Sequence, residues 1–253
     1  HGGSGKTSLV DALAFVAGSS KRHGRVKEGT ALTDYSPDEI DKGYSINLSL
    51  AFAEWEGAKI NLIDTPGFLD FAGDAAAGIF AADASLIVLS STAGVEVGTE
   101  KVYRQTRAFG HPAAFFVSLM DKEHANFEKV YNDIRERLTP KAVPIEIPIG
   151  EGLEFHGVIN LISRKALNFK RGTKTGEYDE IAIPAELAEK YERYEKDLIE
   201  KVVETDDALM ERYLGGEEIP HDQLVAAMRA ALKRGERFPV LCGASELTYG
   251  MRA

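Results

Sequence analysis

The first seven residues, His1-Gly2-Gly3-Ser4-Gly5-Lys6-Thr7, match all of the pattern GxxxxGK[ST] except its first glycine, which would lie immediately before His1. In this pattern the N–H groups of a glycine-rich loop, and of the helix it opens, surround phosphate oxygens. A lysine neutralises the β and γ phosphates and a hydroxyl binds Mg²⁺. Gly2, Gly3, Ser4, Gly5 and Ser8 then form the cradle, Lys6 supplies the cation and Thr7 the metal-binding hydroxyl. A second group, Asp64-Thr65-Pro66-Gly67, ends a short apolar run. There Asp64 can reach a metal-bound water and the Gly67 N–H can reach a γ-phosphate. Alone such a turn is weak, since Asp, Pro and Gly all form turns. Its distance from the phosphate loop, with a strand pair between, is what hydrolysis of a nucleoside triphosphate requires, although neither motif says which base is bound.

The elements that must carry these groups follow from periodicity. Leu9, Val10, Leu13 and Val16 recur at helical spacing between Gly5 and about Gly18. Residues 19 to 43 are polar, and Lys21, Arg22, His23, Arg25 and Lys27 read as a solvated basic loop, with a local RNA contact as the alternative. Ile46, Leu48, Leu50 and Phe52 then alternate with Asn47, Ser49 and Ala51, the pattern of a half-buried strand, and Gly57 turns into a second strand over residues 60 to 63. Further on, a helix near 70 to 82, a strand at 85 to 90, a helix at 98 to 109, a strand at 113 to 118 and a helix at 125 to 138 alternate. Alternation of this kind predicts an α/β fold, a mostly parallel sheet flanked by helices. Past Pro140 three short strand-like runs (145 to 149, 155 to 162, 166 to 169) precede charged helices from about 185 to 233, which reads as an inserted α+β subdomain. The strand 238 to 242 resumes the earlier pattern. The expected division is a nucleotide-binding domain over 1–140 and 239–253, continuing beyond the sequence at both ends, with the insertion at 141–238.

With 253 residues, 44% hydrophobic and 28% charged, the chain is of ordinary globular composition, and no segment is apolar enough to span a bilayer as a helix. The single cysteine, Cys242, cannot form an internal disulfide and suits a reducing cytoplasm. A net charge of −10 argues against a broad nucleic-acid-binding face, so any RNA contact must be local. The six histidines show no metal-ligand spacing.

Beyond the two motifs, the segment from Asp34 to Ile46 (DYSPDEIDKGYSI) resembles the first switch of elongation factor G, and residues 90 to 105 (SSTAGVEVGTEKVYRQ) resemble its sheet-to-helix connection. The inserted region is similar as well, with IPIGEGLEFHGVINLI at 147 to 162 and ETDDALMERYLGGEE at 204 to 218. Gly3 and the GSGKT ending resemble the variant, second type of elongation factor G. The resemblance implies a P-loop GTPase domain of a translational GTPase, with GTP, GDP and Mg²⁺ as ligands. It also implies a ribosome partner, a monomer, no membrane, and switch segments at 21 to 45 and 64 to 75. Carried over position by position, Ser45 would complete the Mg²⁺ shell. Ser118-Leu119-Met120-Asp121 would occupy the base-recognition motif, with Asp121 accepting from guanine N1–H and N2–H₂, and Gly243-Ala244-Ser245 would form the last base-contacting loop. Ser118 and Leu119 depart from the family's asparagine and lysine.

The largest departure is Phe68, which stands where the family has the histidine that positions the attacking water. Lys6, Gly67 and the Phe68 position are therefore the candidate catalytic residues, and Tyr44 is the nearest polar group that could stand in. The resemblance leads to GTP binding with hydrolysis. A GTP-responsive ribosome-binding module with little turnover, and a ribosomal protection protein of the tetracycline-resistance type, are the alternatives. A P-loop ATPase or kinase fits Asp121 poorly.

Overall fold

The computed structural model describes residues 1 to 252. Helix α1 (Lys6–Val16) starts at Gly5, whose φ of 84° lies in the left-handed region that glycine tolerates without strain. Helix α2 (Pro37–Lys42) was not expected from periodicity, being only six residues long. Local capping forms it: the Ser36 hydroxyl accepts the Glu39 N–H, the Glu39 carboxylate accepts the Ser36 N–H, and Pro37 fills the first turn. Strands β1 (Ser49–Trp55) and β2 (Ala58–Asp64) pair antiparallel from Ser49 with Asp64 to Trp55 with Ala58.

The next elements are α3 (Ala72–Ala81), β3 (Ser85–Ser90), α4 (Val97–Ala108), β4 (Ala113–Ser118) and α5 (Phe127–Asp133), close to the expected ranges. The helix expected over 125 to 138 is shorter. Asn126 caps it by accepting the Lys129 N–H, and beyond Asp133 residues 134 to 138 widen into a π turn. Strands β5 (Ala142–Pro144), β6 (Glu146–Ile149), β7 (Gly157–Asn160), β8 (Lys165–Phe169) and β9 (Tyr178–Ile181) follow, then α6 (Ala188–Val203), α7 (Asp207–Leu214), α8 (His221–Arg234) and β10 (Phe238–Cys242).

Sheet order is β3-β4-β10-β5, all parallel, and β6-β7-β8-β9, all antiparallel. Further details of the sheets differ from the sequence reading. Residues 142 to 144, assigned there to the start of the inserted part, pair with β10 and join the parallel sheet. A three-residue strand is too short to show a period, so only its neighbour reveals it. Strand β9 has the largely exposed sequence Tyr178-Asp179-Glu180-Ile181 and forms an edge on β8, where polar residues cost nothing.

One apolar core runs through both sheets. Phe115, Val117 and Phe238 of the parallel sheet, Ile147 and Ile159 of the antiparallel one, and Leu198 and Val202 of α6 belong to the same buried set. Leu9 of α1 packs separately with Val88 and Phe116. Among the described residues no helix is long and apolar enough to cross a membrane.

Candidate functional site

The carboxyl ends of β3, β4 and β10 (Ser90, Ser118 and Cys242) lie side by side, where ligands bind in parallel α/β sheets. The glycine loop sits at this edge. Gly5 caps α1 without a side-chain acceptor and the first turn of α1 holds no acidic residue, so the helix N-terminus presents unneutralised N–H groups. Such an end attracts anions through both its free donors and its dipole. Lys6 reaches back across the loop and donates to the His1 carbonyl at 2.8 Å. Burial pushes its ammonium below its ordinary pKa, and the Asp64 charge partly restores it.

Gly67 approaches the same loop closely. A Cβ there would collide with Lys6 Nζ and stand 2.6 Å from the Gly2 nitrogen, so this turn tolerates only glycine. Asp64, at the end of β2, is buried, and its Oδ2 accepts from Thr33 Oγ1 at 2.7 Å while Oδ1 has no partner. Burial drives its pKa up, against the Thr33 and Thr7 hydroxyls and Lys6, which draw it down. Asp34 is buried with neither carboxylate oxygen partnered; burial, then the Glu39 and Asp64 charges, raise its pKa. Thr7 Oγ1 lies 3.1 Å from Ser45 Oγ. Orphaned carboxylate oxygens beside paired hydroxyls are what a hard divalent cation would satisfy, and Mg²⁺ fits this donor set. Among the described residues no three His, Cys, Asp or Glu side chains cluster as a metal cage.

Ser45 owes its position to Glu39. That carboxylate is buried and accepts the N–H groups of Ile46 at 2.9 Å and Asn47 at 3.0 Å. Burial opposes its ionisation, but the Asn47, Ile46 and Ser36 N–H groups outweigh it and hold the pKa below the ordinary value.

Phe68 lies flat against the glycine loop. A Cβ on Gly2 would come within 2.9 Å of its ring, and the Tyr44 ring packs against it, tilted by 57°, at 4.6 Å between centroids. Tyr44 also neighbours Phe71, at 6.5 Å.

At the base end the structure brings together Asp121, Ala244 and Ser245. The Met120 N–H donates to Gly243 O at 3.2 Å and the Gly243 N–H to Val117 O at 3.0 Å, which lays the 243–245 loop beside the end of β4. Ser118, a candidate for base contact, is buried with its hydroxyl within hydrogen-bond reach of the carbonyls of both Ser4 and Leu89, so it braces the phosphate loop against β3. Leu119 takes a left-handed φ of 60° and its side chain faces Gly5. Asp121 is paired with Lys122 Nζ at 2.9 Å, and the same ammonium reaches Glu246 at 2.9 Å. Burial lowers the Lys122 pKa, but the Glu246 and Asp121 carboxylates raise it further.

Thr33, Asp34, Glu39 and Lys122 were not singled out from sequence, although Asp34 and Glu39 lie inside the switch-like segment. Asp34 and Glu39 stand out by burial of charge, Thr33 by its hydrogen bond to Asp64 and Lys122 by its two ion pairs, none of which a linear pattern carries.

Residues 1–253 match the family described as the elongation factor Tu GTP binding domain. A crystal structure of a protein from Thermus thermophilus superposes with a TM-score of 0.92 at 35% identity, covering 100% of this chain and 37% of that one. This chain therefore spans little more than a third of that solved protein. With the whole sequence matched and the phosphate loop, the acidic turn and the base-end loops at one sheet edge, the chain belongs to the elongation factor Tu GTP-binding domain family.

Proposed function

We propose that this chain binds GTP and GDP with Mg²⁺ and hydrolyses GTP slowly, as the switch domain of a translation factor resembling the second type of elongation factor G. The observation that carries the reading is the meeting of Lys6, Asp64 and Gly67 at the open N-terminus of α1. In it, the N–H groups of residues 2 to 8 hold phosphate oxygens, Lys6 neutralises the β and γ phosphates, and the Gly67 N–H faces the γ-phosphate. Thr7 and Ser45 would hold Mg²⁺ through their hydroxyls, with Asp64 and Asp34 acting through water. Such an ion would supply charge neutralisation for the phosphates, held by these residues. Asp121 accepts from guanine N1–H and N2–H₂, and Lys122 shares or yields that carboxylate. A main-chain N–H near Ser245 faces guanine O6.

The nucleotide domain runs from residue 1 to about 144 and resumes at β10, with the antiparallel sheet and α6 to α8 inserted between. The ribosome is the proposed partner and the cytoplasm the proposed compartment, for a monomer. A ribosomal protection protein of the tetracycline-resistance type is the alternative reading of the whole protein.

Phe68 favours a second reading, a GTP-responsive ribosome-binding module with little turnover. Its ring has neither donor nor acceptor for the attacking water, and Tyr44 packs against it. A water-orienting group is worth about 10² to 10⁴ in rate. Phe68→His should therefore raise ribosome-stimulated, single-turnover GTP hydrolysis at least about tenfold. Fast wild-type turnover unchanged by Phe68→His and by Tyr44→Phe would show that another group orients the water.

A further inference from the structure

One face of α1 holds the chain that follows it at three points. Thr7, Asp11 and Phe15 recur every four residues and so line one side of the helix. Thr7 meets Ser45, and the Phe15 ring stacks on His23 at 5.3 Å with 11° between planes. Between them Asp11 is 1% exposed and makes the strongest tie. Its Oδ1 accepts the Gly24 N–H at 2.6 Å and its Oδ2 accepts the Leu32 N–H at 2.8 Å.

The residues between those two donors close on themselves. The Thr30 N–H donates to Arg25 O at 3.1 Å, the Arg25 N–H to Thr30 Oγ1 at 2.9 Å, and the Gly29 N–H to Val26 O at 2.9 Å. Gly24 permits the closure, because a Cβ there would collide with the Thr30 carbonyl and stand 2.7 Å from Asp11 Oδ2. The residue after Leu32 is Thr33, whose hydroxyl donates to Asp64.

We propose that Asp11 is a positioning residue. Its carboxylate latches residues 24–32 to the phosphate helix in every nucleotide state, delivers Thr33 to Asp64, and confines the first switch to the chain beyond Leu32. The chemistry requires a carboxylate. Two N–H donors converge on one side chain, which must offer two acceptor oxygens and no hydrogen, and the donors in turn satisfy the buried charge. The moving part is therefore shorter than the 21 to 45 segment expected from sequence. The claim about nucleotide states rests on the GTP-binding reading; the latch itself does not.

Limited trypsin digestion of the full chain, well below its melting temperature, tests the latch at Lys21, Arg22, Arg25 and Lys27, all at the protein surface. Wild type should be cut slowly there, and at the same rate without nucleotide, with GDP and with a non-hydrolysable GTP analogue. Asp11→Asn keeps the volume but turns an N–H toward one donor, so cleavage within 21–27 should rise at least about tenfold. Asp11→Glu should restore much of the protection, a rescue that mere packing would not show. If Asp11→Asn unfolds outright and is cut throughout, Gly24→Ala decides: it leaves Asp11 intact and should still expose 21–27. Wild-type resistance in Asp11→Asn, or in Gly24→Ala when Asp11→Asn unfolds, overturns the latch. Wild-type cleavage that changes severalfold between GDP and the analogue overturns its permanence. The nucleotide-free arm stands even if GTP does not bind.

Discussion

Asp121 is engaged by Lys122 before any base arrives, and the family's asparagine and lysine are absent beside it: Ser118 braces the phosphate loop and Leu119 faces Gly5. On the proposed reading, guanine selection then falls on one carboxylate. Asp121→Asn should move preference from GTP toward xanthosine triphosphate, whose C2 carbonyl needs a donor, by at least about tenfold, because hydrogen bonds to a charged group are the strong ones. Competition binding of the two nucleotides measures it. An undiminished preference for GTP in the mutant would remove Asp121 from base reading.

At the scale of elements, the site depends on how closely the turn after β2 approaches the turn before α1. Gly67 makes that approach possible, since a side chain there meets Lys6 Nζ and the Gly2 main chain together. Gly67→Ala should push the second-switch turn away from Lys6. Overpacking of this kind costs about 1–3 kcal/mol, so affinity for a non-hydrolysable GTP analogue should fall about tenfold or more, with a smaller effect on GDP. Calorimetry on both ligands checks this; equal affinities for wild type and mutant would mean that the turn does not close on the γ-phosphate. Residues 24 to 48 are organised differently, by carboxylates that accept main-chain N–H groups: Asp11 from Gly24 and Leu32, Glu39 from Ile46 and Asn47, and Asp74 from Leu48.

At the scale of the whole molecule, the parallel and antiparallel sheets share one core, and Glu146 is buried where they meet. It pairs across to Asn160 in β7 and accepts the Cys242 N–H of β10 at 3.5 Å. Burial pushes its carboxyl up to about 7, against that one N–H, which lowers it. The folded chain therefore keeps a proton that the unfolded chain releases near the ordinary glutamate pKa of about 4.3. The stability this contributes is complete below that value, declines as pH rises, and is gone above about 7. Glu146→Gln should remove this slope, leaving stability at pH 5 nearly unchanged and raising it at pH 8 by roughly 1–3 kcal/mol. Thermal melts at the two pH values measure it. A mutant that keeps the wild-type pH slope would show that Glu146 ionises without cost.

By itself the sequence determined the groups whose chemistry is local. The phosphate loop and the helix it opens, the acidic turn after β2, and strands 85 to 90 and 113 to 118 are legible because glycine positions and periods of two or near four residues are written along the chain. The tertiary structure alone decided which sheet receives Ala142–Pro144, since three residues have no period and their partner β10 lies almost a hundred positions away. It also decided the roles of Asp11, Asp34 and Glu39. Nothing in the linear pattern marks these carboxylates as buried, and only the fold separates them: Asp11 and Glu39 each gather main-chain N–H groups, while Asp34 keeps two unpartnered oxygens beside Asp64. Burial is a property of what folds over a residue: Asp11 is met by residues 24 and 32, and Asp34 by Asp64.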